Sequence, residues 1–267
     1  MKKTRLVIVI AHFNNPIGLE ESLASINENF DIDILIIDDG SVEKPNENKI
    51  RNIYKKGQVF FDYLETNSGV GVAANLGLKK AIEFGYELIA RFDCGDLFKK
   101  DKCLKQLNYL DNNKDVKLLG TWANVVDNKG TFLHYLKHPT RYKTIKKKMY
   151  LNSMFLNPSV IFYSDIIKEI GDYPLKYKRA SQDYAFFFKV VKKFKAENYP
   201  EILMDYVVDP NSISTKKRRL QVINRIKVII DNFYFGFYPL YGLSRNIVLL
   251  FLSRKTTTFL KKKIGLS

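Results

Sequence analysis

The chain has 267 residues, 46% of them hydrophobic and 27% charged, which excludes a disordered or fibrous protein and leaves room for one large domain or a domain with an appendage. Two cysteines, Cys94 and Cys103, exclude a disulfide framework and a cysteine-rich metal site, and fit a reducing cytosol. The net charge of +16 calls for an anionic partner, and the excess gathers at one end: from Lys216 onward, Asp231 is the only acidic residue facing twelve lysines and arginines.

The first half alternates between strand and helix patterns. Leu6 to Ala11 is a continuous apolar, β-branched run of the kind that forms buried parallel strands, and it is too short for a signal segment. After the turn His12-Phe13-Asn14-Asn15-Pro16 comes a helix with Leu19, Leu23 and Ile26 as its apolar stripe. A second strand starts at Asp33 and ends in Asp38-Asp39-Gly40-Ser41. A helix from Asn48 to Lys56 and a strand from Val59 to Tyr63 follow. Asn67 to Gly77 opens a helix reaching about Phe84, with small residues on its first turns that permit a close approach. Leu88 to Phe92 is a fourth strand, and it runs into Arg91-Phe92-Asp93-Cys94-Gly95-Asp96. The order βαβαβαβ predicts right-handed crossovers and a doubly wound parallel sheet, whose carboxyl edge binds ligands.

The second half changes character. The pattern predicts a helix over Lys100 to Asn112, a strand over Val116 to Val126, a turn at Asp127-Asn128-Lys129-Gly130 and a hairpin strand over Thr131 to Leu136. A basic helix covers Tyr142 to Leu151. Asn157-Pro158 leads into a strand over Ser159 to Tyr163, then a helix over Ser164 to Gly171. Arg179 to Asp183 opens a helix from Tyr184 to Phe194, followed by two short strands, Lys195 to Tyr199 and Leu203 to Val208, and a long basic helix from Ser214 to about Phe233. Between Asp231 and Arg254 the only charge is Arg245, in a segment rich in Phe, Tyr and Leu. Pro239, Gly236, Gly242 and Arg245 argue against a membrane span. An aromatic, basic segment of this kind is expected to lie in the interface of an anionic membrane; packing on the protein itself, or on a second copy as a homodimer, is the competing expectation.

Three acidic sites fall at ligand-facing positions. Asp38 and Asp39 end the second strand, where a carboxylate can accept from a base or ribose. Asp93 and Asp96 end the fourth, where they can hold a Mg²⁺ or Mn²⁺ against a diphosphate, or simply cap the next helix. Asp183 begins a later helix and can serve as a general base toward a sugar hydroxyl. One pocket holding all three would perform glycosyl transfer. Several other residues have two readings each. His12 is a nucleotide contact or a structural turn histidine. Arg91 pairs with Asp93, with a phosphate, or in a buried ion pair. Asn157 is an acceptor contact or a strand-entry turn, and Trp122 is core or pocket wall. His134 and His138 read as surface residues, and Lys146-Lys147-Lys148 as a solvated helix face or a contact for an anionic acceptor.

Taken in order, these segments resemble the family 2 glycosyltransferases of bacterial surface-polysaccharide synthesis, over roughly Leu6 to Phe194 and into Ser212-Ile213-Ser214. Ile36 to Ser41 resembles the nucleotide-binding turn. Asn67, Gly69, Ala73, Asn75 and Gly77 match the glycine-rich helix entry. Ala90 to Asp96 resembles the aspartate-rich metal loop, Gly120-Thr121-Trp122 the strand behind the acceptor site, and Gln182-Asp183-Tyr184 the motif that carries the base. The resemblance implies a GT-A, Rossmann-like α/β fold with a central, mostly parallel sheet flanked by helices. Residues 1–212 would form the transferase domain, with a nucleotide-sugar half (1–98) and an acceptor half (99–212). Residues 213–267 would be a basic, aromatic helical extension. It further implies a UDP-sugar or other nucleoside-diphosphate sugar as donor, a glycan or lipid-linked acceptor, inversion in one displacement, and a cytoplasmic protein on the inner face of the cell membrane.

By the same resemblance the donor site comprises Ala11, His12, Asn14, Asp38, Asp39, Asn67, Gly69, Asn75, Arg91, Asp93 and Cys94. Asp93 and Asp96 would hold the metal, Trp122, Asn157 and Gln182 would meet the acceptor, and Asp183 would be the base. Two places depart from the family pattern. Gly95 stands where the loop normally carries its middle acidic residue, and Ala11-His12-Phe13-Asn14 stands where many members have Pro-Thr-Tyr-Asn. The altered loop leaves a sugar-nucleotide binder without turnover as an alternative. A nucleic-acid-binding protein is the other alternative suggested by the charge. It is not expected, because no nucleic-acid module is present and the acidic loops repel phosphate.

Overall fold

The computed structural model describes residues 4–177, 180–208 and 218–251. Arg179, Ser212-Ile213-Ser214 and the last residues of the basic tail lie outside them.

Four strands, β1 (Leu6–His12), β2 (Asp33–Asp38), β3 (Val59–Tyr63) and β4 (Leu88–Asp93), form a parallel half-sheet in the order β3-β2-β1-β4. They are joined by α1 (Pro16–Ala24), α2 (Glu47–Ile53) and α3 (Val70–Glu83). Leu6 to Ile10 and Ile34 to Ile37 are buried, as unbroken apolar strands must be when helices cover both faces. Asn15 caps α1 by accepting from the Gly18 N–H at 3.1 Å, and Pro16 occupies the first helical position, where its missing N–H costs nothing. The parallel register sets His12 beside Asp38 and Ala11 beside Asp93, so both acidic strand ends reach the same edge.

The second half extends the sheet with mixed directions. It contains β5 (Leu97–Phe98), α4 (Lys102–Asn112), β6 (Val116–Asp127), β7 (Phe132–Leu136), α5 (Tyr142–Lys148), a 3-10 turn at Asn157–Ser159, β8 (Ile161–Tyr163), α6 (Ile166–Ile170), α7 (Gln182–Lys193) and β9 (Lys195–Val208). The order continues β4-β8-β6-β9-β5, with β7 on β6. β8 runs against both β4 and β6, and β6 and β9 are parallel. The sheet is therefore parallel in its first half and mixed in its second, where the short β8 enters as a reversal.

One expectation is corrected, and one strand was not foreseen. The segments 195–199 and 203–208 are one strand, because Pro200 and Glu201 are absorbed as a bulge: Thr121 pairs with Tyr199 and Trp122 with Ile202. A bulge is one of the few places a sheet tolerates proline. The short β5, paired with β9 at Leu97 and Phe98, had no signal of its own.

The extension contributes α8 (Arg218–Asp231) and α9 (Phe237–Phe251). Both pack on the body. The Tyr150 hydroxyl donates to the Asn232 carbonyl, Arg245 donates to the Leu151 carbonyl at 2.8 Å, and Tyr177 and Lys176 both donate to Asp231. Gly242 lies so close to the Tyr150 carbonyl that a Cβ there would come within 2.1 Å of its oxygen. No helix of the described residues is long and apolar enough to cross a membrane.

Candidate active site

A cleft of about 560 Å³ opens at the carboxyl edge of β1 and β4, a volume suited to a small ligand. Ala11, Phe13 and Asn15 form one side, Val70, Gly71 and Ala74 of α3 the next. Arg91, Asp93 and Cys94 line its floor, and Gln182 and Asp183 of α7 face them. Of the residues expected from sequence, the structure thus brings together Ala11, Arg91, Asp93, Cys94, Asn157, Gln182 and Asp183.

Asp93 is the last residue of β4, and its side chain keeps 38% exposure at the bottom of the cleft. Solvent reaches it, yet protein surrounds it. Burial therefore raises its pKa, against the opposing charge of Arg91 at 3.7 Å and a hydrogen bond from Asn157 at 3.2 Å. Arg91 is buried and donates to the Val9 carbonyl at 3.0 Å. Asn157 in turn accepts from the Tyr173 hydroxyl at 2.9 Å, and Tyr173 exchanges two hydrogen bonds with the side chain of Asn75 in α3. Asn75 thus acts behind the cleft wall, tying α3 to the floor.

Asp183 sits in the first turn of α7, where the helix N-terminus favours a carboxylate. Burial nonetheless raises its pKa. The Tyr184 N–H lowers it, Asp93 across the cleft raises it, and Arg225 of α8 lowers it. Among the described residues, no side chain hydrogen-bonds this carboxylate. Gln182 packs on α3: a Cβ at Gly71 would come within 2.4 Å of its amide oxygen.

The other strand-end carboxylates have protein partners instead. Asp38 is fully buried. It pairs with His12 Nδ1 at 2.7 Å and accepts from the Ser41 N–H at 2.9 Å. Burial opposes its charge, but these hydrogen bonds outweigh burial and hold it below the usual range. His12 Nε2 accepts from the Asn15 N–H at 3.2 Å, so Nδ1 carries the proton given to Asp38. His12 is a buried strut. Asp39 is buried too; its two oxygens accept from the N–H groups of Ser68 and Gly69 at 2.8 and 2.9 Å, and burial raises its pKa. Both carboxylates, expected to touch base and ribose, accept from backbone N–H groups and His12 in this structure, and neither lines this cleft. Asn14 accepts from the N–H groups of Val42 and Glu43, Asn67 is exposed, and Gly69 is the N-cap of α3.

Asp96, the partner expected to share a metal with Asp93, also faces away. One oxygen accepts from the Val207 N–H of β9 at 2.8 Å, while the other is buried without a partner. Burial and then Asp93 raise its pKa well above the usual range. Gly95 has a φ of +99°, which L side chains rarely adopt, so this loop shape disfavours the acidic residue usual at that place. Ser22 of α1 pins the loop by accepting from the Gly95 N–H and donating to the Asp96 carbonyl. Burial pushes the Cys94 thiol up to about 12, and its Sγ–H donates to the Asn15 carbonyl at 3.4 Å. Among the described residues, no three of His, Cys, Asp and Glu gather as a metal site. The residues fit only a cation that takes one carboxylate and the substrate's phosphates, a mode common for Mg²⁺.

Trp122 lies on β6, away from the cleft, with its indole N–H donated to the His138 carbonyl at 2.8 Å. His134 is exposed; His138 is half-buried, and burial pushes its imidazole down to about 4. Tyr173, Tyr206 and Gln221 line the cleft without having been singled out. Tyr206 had one signal, the strand pattern of Leu203 to Val208; the other two had none.

The sequence matches the family model "Glycosyl transferase family 2" over residues 7–171. It is 30% identical to an uncharacterized glycosyltransferase of Methanocaldococcus jannaschii, over 98% of this chain and 93% of that protein. It is 28% identical to the UDP-Gal:alpha-D-GlcNAc-diphosphoundecaprenol beta-1,3-galactosyltransferase of Escherichia coli, over 87% of this chain and 83% of that one. Among solved structures, residues 1–349 of S. aureus TarS in complex with UDP-GlcNAc superpose with a TM-score of 0.67 at 16% identity, covering 91% of this chain and 72% of that one. This likeness shows a shared fold. The chain spans 44% of the longer TarS chain.

Proposed function

The chain belongs to glycosyl transferase family 2, and we propose on that basis that it moves a sugar from a nucleoside-diphosphate sugar, with UDP as the leading nucleotide, to a lipid-linked glycan, inverting the anomeric carbon. The observation that carries this reading is the meeting of Asp93 and Asp183 in one cleft at the carboxyl edge of β1 and β4.

Asp183 is the general base. Among the described residues it has no competing side-chain partner, and its raised pKa makes it a better proton acceptor than an ordinary aspartate. It takes the proton of the acceptor hydroxyl. The hydroxyl oxygen bonds to the anomeric carbon as the bond to the diphosphate oxygen breaks, and the electron pair leaves with the nucleoside diphosphate. Attack opposite the leaving group inverts the configuration. On the donor side, Ala11, Gly71 and Ala74 provide a small-residue wall that allows close approach, and Asn157 and Arg91 hold Asp93 in place. A Mg²⁺ or Mn²⁺ bound at Asp93 beside the diphosphate would offset the charge on the leaving group. Asp38, Asp39 and His12 act by shaping the loops around the donor.

The acceptor class follows the E. coli relative, whose name gives a diphosphoundecaprenol-linked sugar. With such an acceptor the protein would work in surface-polysaccharide synthesis at the inner face of the cell membrane. A thermal-shift screen of nucleotide sugars, with and without Mn²⁺, tests the donor assignment. A matching donor at 100 times its dissociation constant stabilises the fold by about 2.7 kcal/mol. No stabilisation by any nucleoside diphosphate or its sugar would contradict the reading.

A further inference from the structure

Helix α9 is built inside out. Its exposed positions are Phe237, Leu240, Tyr241, Ser244, Ile247, Val248 and Phe251, a spacing of three and four that makes one face. Six of the seven are apolar; Phe237 is 72% and Phe251 84% exposed. The inward face carries the small and polar residues Gly242 and Asn246, and Asn246 is fully buried with its amide donated to the Gly242 carbonyl. Tyr234 and Phe235, just before the helix, extend the exposed apolar surface. A water-facing helix has the opposite polarity, and a contiguous apolar patch of this kind marks an interaction site.

The charge beside this face says what covers it. α9 rests on Tyr150 and Leu151, which come just after Met149, the C-cap of α5, and α5 exposes Lys143, Lys146, Lys147 and Lys148. Beyond Phe251 the sequence adds Arg254, Lys255, Lys261, Lys262 and Lys263 with no acidic residue. We propose that the outward face of α9 and the lysines of α5 form one docking surface for an anionic lipid bilayer. Apolar side chains enter the interface while lysines meet the headgroups. A symmetric pairing of two copies through α9 would set these basic patches against each other.

The inference rests on the reading of a lipid-linked acceptor and adds how that acceptor is met. α8 bridges α9 and the cleft. Its Gln221 lines the cleft, its Arg225 donates to Asn246 of α9 at 3.4 Å, and Ser181, next to Gln182, donates to the Gln221 carbonyl. A bilayer under α9 therefore lies next to the α7–α8 side of the cleft, where Asp183 stands.

The test is co-sedimentation of the full chain, without nucleotide, with vesicles of phosphatidylcholine alone or with about a third phosphatidylglycerol. Wild type is expected to sediment with the anionic vesicles and to be released by salt. L240S/I247S should weaken binding at least about tenfold. K146S/K147S/K148S should weaken the anionic preference, by about fivefold per lysine. Both variants change exposed side chains, so their melting curves should match wild type. Unchanged binding in L240S/I247S, or equal binding to both vesicle types, overturns the proposal. A dimer that L240S/I247S dissociates, without vesicle binding, overturns it in favour of a second copy. No donor or acceptor is present, so the result stands apart from whether the cleft transfers sugar.

Discussion

The two sides of the cleft use the same side chain in opposite ways. On the β2 side, Asp38 and Asp39 are buried with every oxygen engaged by His12, Ser41, Ser68 or Gly69. On the β4 and α7 side, Asp93 and Asp183 open into the cleft, and Asp183 has no side-chain partner among the described residues. The first pair holds loops in shape; the second is the pair to which we assign the substrate. Asp96 is a third case, a carboxyl tied to β9 through one oxygen and orphaned at the other. Burial raises the pKa of Asp39, Asp93, Asp96 and Asp183 alike; only at Asp38 do hydrogen bonds outweigh it.

Asp38→Ala should break the engaged side hardest. It orphans the Ser41 N–H and the His12 imidazole in a buried place, a loss of about 1–3 kcal/mol for each group. Calorimetry should show a clear fall in Tm; an unchanged Tm would place Asp38 with the open carboxylates. Asp96→Asn sharpens the comparison with the opposite sign. A carboxyl whose pKa is raised by folding contributes stability below its unfolded value, near 3.8, and loses it as pH rises. Asn keeps the bond from Val207 without that loss, so Tm at neutral pH should rise and its decline with pH should flatten.

A smaller effect is expected in the pH profile. With Asp183 as the proposed base, transfer needs it ionised; its pKa is raised, so the acid limb of kcat/KM should lie above the ordinary Asp value of 3.8, with activity rising as pH rises. Arg225→Gln removes a charge that lowers this pKa and should move the limb upward. A limb at or below 3.8 would point to another base. Gly71→Ala should have the mildest consequence, displacing Gln182 and raising KM for acceptor roughly threefold with Tm nearly unchanged.

The parallel half of the sheet was legible because Leu6 to Ile10 and Ile34 to Ile37 are unbroken apolar runs. The mixed half was less so. Pro200 reads as a strand end but sits in a bulge, and β5 is too short to leave a pattern. At the site, Asp38, Asp39, Asp93 and Asp96 look alike along the chain, each at a strand end. Which of them is engaged depends on Ser68, His12 and Val207, partners brought in by folding. Tyr173 and Gln221 reach the cleft from segments with no motif, so distance in sequence hid them. The helix face of α9 shows only once Gly242 and Asn246 are seen to point inward.

The most direct test of the open-carboxylate account is the rate of nucleoside diphosphate release by Asp183→Asn in the presence of donor and acceptor, read beside its donor-induced thermal shift. Loss of a general base should slow transfer by about 10²–10⁴ while the shift matches wild type. Transfer at the wild-type rate would contradict the assignment of Asp183 as the base.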